Sequence, residues 1–322
     1  MSRPEHVNGW QLAAALTALV TSVATARADE AARAPEATGQ APEQVVVESA
    51  EPRYVAPTRR DRIGRIWAPV LINEKGPFRL VLDTGASRSA IGPSIVASLG
   101  IEPSNAATVM LLGVTGELEV SAATVDSFVV GDLELRPARL PIIADAFGGA
   151  EGVLGTDGLL DKRIFIDFQH DRITISRSRG QRPPRGFVTV PVQLVGGLII
   201  VSDARFGSIP VQAIIDTGAQ GSIANAALGE ALRRRSRQED RDASEIIGVT
   251  LDIKRGDLVS TPPLTLGEVR VGLTQITVAD VYIFQHWNMT SKPAVMIGMD
   301  ILGLLDALVI DYPRRELQVK IP

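Results

Sequence analysis

The chain contains no cysteine. Disulfides, thiolate metal sites and a thiol nucleophile are removed together. Histidine is almost as scarce: His6, His170 and His286 are the three present, and none is spaced to share a metal with another. A histidine-dependent serine triad and a histidine metal cluster both lose their support. Basic charge is not in excess, with 33 Lys and Arg against 37 Asp and Glu, a net charge of −4 and a pI near 5.6. That balance argues against a nucleic-acid-binding surface. Apolar runs long enough to suggest a membrane segment are missing beyond the N-terminal region.

The N-terminal region reads as a targeting segment. Arg3 precedes an apolar run from Trp10 to Ala24, shorter than the about 20 residues a spanning helix needs. Ala26-Arg27-Ala28 supplies a small-x-small pattern ahead of Asp29. Residues 1–28 are therefore expected to be a secretory signal peptide, and the product to be exported, periplasmic or extracellular. Membrane association is expected only if this segment stays uncleaved. Residues 29–64 are rich in Ala, Pro and Glu and read as a linker or leader. The patch Arg59-Arg60-Asp61-Arg62 is better explained as a solvated strand edge than as a processing site.

What remains is of ordinary globular composition, 45% hydrophobic and 22% charged, in a chain of 322 residues. Its organising stretch is Leu80-Val81-Leu82-Asp83-Thr84-Gly85-Ala86, which recurs as Ala213-Ile214-Ile215-Asp216-Thr217-Gly218-Ala219. Each copy is an apolar strand delivering a carboxylate into a tight Thr-Gly turn. The surroundings repeat as well. Strands Pro69 to Asn73 and Phe78 to Leu82, with a turn at Glu74-Lys75-Gly76-Pro77, answer to Leu198 to Ser202 and Pro210 to Ile215. Ser89 and Ser222 follow the two motifs at the same distance. Short helices come next, bracketed by Pro93 and Gly100 in the first copy and N-capped by Asn225 in the second. Leu112-Gly113-Val114-Thr115 then answers to Ile247-Gly248-Val249-Thr250, Gly152 to Leu159 to Val295 to Leu302, and Ile164 to Phe168 to Leu308 to Tyr312. The class is all-β with short helices. The expected domains are a first lobe at 65–179, an interlobe linker at 180–186 and a second lobe at 187–322. The charged run from Arg233 to Asp242 reads as a solvated helix end and loop.

A pseudo-twofold arrangement of the halves brings Asp83 and Asp216 together. Two carboxylates about 3 Å apart cannot both ionise cheaply, so they share one proton and supply an acid and a base at once. The ionised member can take a proton from a water and the protonated member can donate to a carbonyl oxygen, with no covalent intermediate and no cofactor.

These residues resemble the aspartic peptidases, and more closely the retropepsin-like aspartyl proteases of bacteria. The apolar-apolar-Asp-Thr-Gly-Ala-Ser stretch, the helix ending in Leu99-Gly100 and the late Leu-Gly-x-Asp-x-Leu stretch at 154–159 carry the resemblance. It implies two tandem closed β-barrel lobes, catalysis by Asp83 and Asp216, and peptide bound between the lobes. Support falls to Thr84, Gly85, Ala86, Thr217, Gly218 and Ala219. Gly113, Val114 and Thr115, with Gly248, Val249 and Thr250, are flap candidates for binding substrate, although a plain β-turn explains each hairpin equally well. Asp157 and Asp300 are expected to N-cap helices, and Asp167 and Asp311 to end strands at the surface. The expected partner is a protein or peptide substrate, with no metal and no nucleic acid, and the chain is expected to act as a monomer with an internal pseudo-dimer. The rival reading is an exported peptide-binding or scaffold protein without turnover.

Overall fold

The computed structural model describes residues 45–48, 66–102, 104–131, 133–144, 151–170, 172–235, 242–247, 253–272 and 274–322. The proposed signal segment, most of the linker and Gly248, Val249 and Thr250 lie outside these residues. All described residues belong to one unit of the chain.

Each half is built on the same order of strands. In the first, Ser104–Leu112, Glu117–Val125 and Ala138–Pro141 form a three-stranded sheet. A single parallel bridge from Ile142 to Ile91 leads on to the strand Ala90–Ile91. The sheet continues through Gly152–Leu154, Lys75–Leu82, Trp67–Ile72, Phe128–Val130 and Leu133–Leu135. The second half runs in the same order: Asp242–Ile247, Ile253–Thr261, Thr274–Val278, Ile223–Ala224, Ala294–Ile297, Ile209–Ile215, Leu198–Phe206, Leu264–Leu266 and Val269–Val271. Among the described residues four short helices complete the set: α1 (Pro93–Leu99), α2 (Ala226–Arg233), α3 (Tyr282–His286) and α4 (Met299–Leu302).

The motif strands are apolar along their last residues because they are covered on both faces. Leu80, Val81, Leu82, Ala213, Ile214 and Ile215 are all fully buried. Each motif strand pairs in parallel with the late strand of its own half, Leu82 opposite Leu154 and Ile215 opposite Ile297. The short strand that follows each motif loop pairs antiparallel with the other side of that late strand. The late strand is thus threaded between two pieces of one loop, which fixes the position of the Asp-Thr-Gly turn.

Helix signals act as read. α1 starts with Pro93 at its first turn and ends at Gly100 in the left-handed region, φ 69°. Asn225 caps α2 by accepting from the Leu228 N–H over 2.9 Å. One expected turn is displaced. Asn73 and Glu74 alone make it, both at positive φ, and the strand resumes at Lys75. Asn73 tolerates this because its side chain accepts from the Asp126 and Ser127 N–H groups.

A separate six-stranded sheet joins the halves, in the order Val45–Glu48, Arg172–Arg177, Lys162–Asp167, Ala307–Asp311, Glu316–Lys320, Val188–Pro191. Its central pair places Phe165 opposite Val309, flanked by Ile164 opposite Ile310 and Ile166 opposite Leu308. Phe165 and Val309 are repeat equivalents, so the pseudo-twofold axis passes through that pair. Val45–Glu48 falls within the stretch read as linker, yet it pairs along Arg172–Ile175. Strand residues Asp167 and Asp311 part company. Asp167 is partly exposed as expected, whereas Asp311 is buried, correcting its reading as a surface strand end. The cause is its partner across the sheet: Arg163 stands opposite Asp311, with Nε 3.6 Å from Oδ2, and Ser178 Oγ donates to Oδ1 over 2.8 Å.

Candidate active site

Asp83 and Asp216 sit at the ends of the two motif strands, each carboxylate held by its own turn. Asp83 Oδ1 accepts from the Gly85 and Ala86 N–H groups over 2.8 and 2.9 Å. Asp216 Oδ1 accepts from those of Gly218 and Ala219 over 2.9 and 3.1 Å. The turns interlock across the axis. Thr84 Oγ1 donates to the Ile215 carbonyl and Thr217 Oγ1 to the Leu82 carbonyl, both over 2.7 Å. Each hydroxyl also accepts the other threonine's N–H. Both threonines are buried, so these bonds satisfy groups that water does not reach.

The glycines explain how close the loops come. A Cβ on Gly85 would lie 2.5 Å from Asp216 Oδ2, and one on Gly218 would lie 2.2 Å from Asp83 Cγ. No side chain fits at either position. Each carboxyl group therefore stands over the opposite turn, close beside the other. Burial, reinforced by the Asp83 charge and by hydrogen bonding with its carboxyl, pushes Asp216 well above the ordinary aspartate range. Asp216 is 5% exposed while Asp83 is only partly buried, so the two members of the pair are not equivalent.

Beneath each turn lies a second, duplicated network. Ser89 donates through its hydroxyl and its N–H to Asp157 Oδ1, over 2.6 and 2.8 Å. Ser222 does the same to Asp300, through Oδ1 and Oδ2, over 2.6 and 2.8 Å. The serine oxygens accept from the Gly155 and Gly298 N–H groups. Asp157 and Asp300 thus tie the motif loop to the late strand, correcting their reading as helix caps; Gly298, not Asp300, occupies the cap of α4. Burial raises both carboxyls above the usual value, and the serine hydrogen bonds offset part of that rise. A Cβ on Gly155 would meet the Arg88 carbonyl carbon at 2.4 Å, so only glycine lets the late strand pass under the loop. The serines at matching distances from the two aspartates were the sequence signal for this network; which carboxylates they meet was not visible.

Tyr312 was also missed. Its hydroxyl is buried without a hydrogen-bond partner among the described residues, and burial raises its pKa, with the Asp83 charge adding to the rise. Among the described residues no group of three or more His, Cys, Asp or Glu is placed to hold a metal ion. No helix among them is long and apolar enough to cross a membrane.

The sequence profile described as aspartyl protease matches residues 68–158 and 202–301, once in each half and across both motifs. The chain belongs to the aspartyl protease family. A search of curated protein sequences finds no match. The two matched regions make this a tandem member of a family of hydrolases whose substrates are proteins, with the interlobe sheet and the linker outside the matched regions.

In this aspartyl protease the first flap candidate is a closed hairpin. The Gly113 N–H donates to the Gly116 carbonyl over 2.8 Å at the end of the strands Ser104–Leu112 and Glu117–Val125. Val114 is partly buried and Thr115 fully so, although both lie at a hairpin tip. The strand register puts Val109, Leu111, Leu118 and Val120 on one face.

Proposed function

We propose that the protein is an aspartic endopeptidase in which Asp83 and Asp216 activate one water at a cleft between the lobes. The observation that carries this reading is the close approach of two carboxyl groups, each standing over the other's turn and fixed by two N–H groups of its own. The pair holds one proton between them; in this reading the more buried Asp216 acts as the acid and Asp83 as the base. Asp83 takes a proton from the water as it attacks the peptide carbonyl carbon. Asp216 gives its proton to the carbonyl oxygen, and the tetrahedral diol forms with charge conserved. Collapse passes the proton on Asp83 to the leaving nitrogen, breaks the C–N bond and returns a diol hydroxyl proton to Asp216, which restores both acids. Acid–base catalysis of this kind contributes roughly 10² to 10⁴ in rate, and orientation supplies much of the rest.

Thr84, Gly85, Ala86, Thr217, Gly218 and Ala219 serve as support in this proposal. Their N–H groups and hydroxyls hold the acids without reacting. The hairpin at Gly113, Val114 and Thr115 covers the substrate. Export of the chain as a monomer, after loss of residues 1–28, belongs to the same proposal, and N-terminal sequencing of protein from its native compartment tests it.

Activity is tested by incubating the purified protein with a diverse peptide library between pH 3 and 7. Cleavage sensitive to a pepstatin-type inhibitor is expected. Peptide binding without cleavage would favour a scaffold.

A further inference from the structure

The hairpin Ser104–Val125 packs on both lobes. Along its length Leu111 packs with Ala86 against a small cluster of Ala90, Ile143 and Val153. At its tip Val114 packs on a cluster of the second lobe that also carries Ala219. Ala86 and Ala219 are the residues whose N–H groups hold Asp83 and Asp216. The hairpin therefore contacts both lobes, on the cluster that Ala86 meets in one and on the cluster that Ala219 meets in the other.

Its tip is fastened to α3. The Ile283 N–H donates to the Val114 carbonyl over 3.2 Å, and Tyr282 Oη donates to Glu117 Oε2 over 2.8 Å. α3 is a firm mount, because Ile283 and Phe284 are buried in the same cluster that receives Val114. The bond to Glu117, more than any burial, raises the Tyr282 pKa above the ordinary phenol value. Its hydroxyl therefore remains a donor throughout the acidic and neutral range.

We infer that Tyr282 and Glu117 form a latch that holds the hairpin across Asp83 and Asp216, which makes both of them positioning residues for proteolysis. This rests on the proposed dyad chemistry only for its effect on turnover. A chain segment reaches the acids when the latch opens, and the reaction proceeds when it closes again and excludes water.

The test uses the full chain and the variants Tyr282→Phe, Glu117→Gln, both together, and Val114→Ser. Hydrogen–deuterium exchange is read over residues 108–120. Each of the first two variants should speed exchange there roughly three- to tenfold, the scale of losing one net hydrogen bond, with the thermal midpoint unchanged. The double variant should exceed neither, because both remove the same bond, and Val114→Ser should open the hairpin further. With a fixed peptide, kcat should fall several-fold while KM changes less than twofold. Unchanged exchange in both single variants, or fully additive effects, would overturn the latch. A parent protein without turnover would defeat the hydrolytic reading alone, because the exchange result still decides whether the latch exists.

Discussion

Thr84 and Thr217 exchange hydrogen bonds reciprocally, each N–H donating to the other's hydroxyl over 3.2 and 3.1 Å, while each hydroxyl donates to the opposite strand. Four buried bonds thus join the halves directly beneath the acids. Thr84→Val removes the hydroxyl but keeps the shape, leaving the Thr217 N–H and the Ile215 carbonyl without partners. At about 1–3 kcal/mol for each orphaned group, it should cost about 2–5 kcal/mol in denaturant unfolding. Thr84→Ser should recover most of that loss. Equal stability of the valine and parent proteins would show that the bonds are not holding the loops.

The raised pKa of Asp216 makes a signed prediction about pH. A carboxyl whose folded value exceeds its unfolded one binds protons more tightly in the folded state. Its stabilising contribution is complete below the unfolded value, near about 4, and is lost as pH rises through the folded value. Asp216→Asn cannot titrate, and its amide oxygen can still accept from Gly218 and Ala219. Unfolding free energies of the two proteins should therefore diverge in favour of the asparagine form as pH rises from about 4. Parallel profiles would show that Asp216 titrates normally.

Partly buried Arg163 and buried Asp311 form an ion pair across the joint between the halves, and Arg163 Nη2 also donates to Gln318 Oε1 over 3.0 Å. Asp311→Ala leaves the guanidinium Gln318 and the Glu316 charge as partners, takes the acceptor from the Ser178 hydroxyl, and should cost about 1–3 kcal/mol. Replacing both, as Arg163→Met with Asp311→Leu, should cost less than the single change, because no charge is left alone. The comparison is read by chemical denaturation, and a double variant worse than Asp311→Ala would mean that the pair stabilises beyond its desolvation cost.

The motif pair, the repeat and the late Gly-x-Asp stretches were legible because each is a local pattern occurring twice in order. Asn225 and Pro93 were legible for the same reason, since capping depends on neighbours in sequence. The fates of Asp157, Asp300 and Asp311 were not. Each depends on a partner far along the chain: Ser89 for Asp157, Ser222 for Asp300 and Arg163 for Asp311. The repeat alignment set Asp311 beside Asp167, but the residue facing each across the sheet is Arg163 in one case and Ala307 in the other. The turn at Asn73-Glu74 was misplaced because Gly76-Pro77 looks like stronger turn chemistry than the strand end it proves to be.

If Asp83 and Asp216 act as one acid–base unit, peptide cleavage by their asparagine variants is the sharpest check of it. Purified Asp83→Asn, Asp216→Asn and the double variant are assayed on one peptide that the parent cleaves, with folding checked by thermal unfolding. Each single variant should lose at least about 10² in kcat, with the double hardly worse than either, because groups acting as a unit are not additive. Cleavage persisting at near-parent rates in Asp83→Asn, with contaminating proteases excluded, would contradict it.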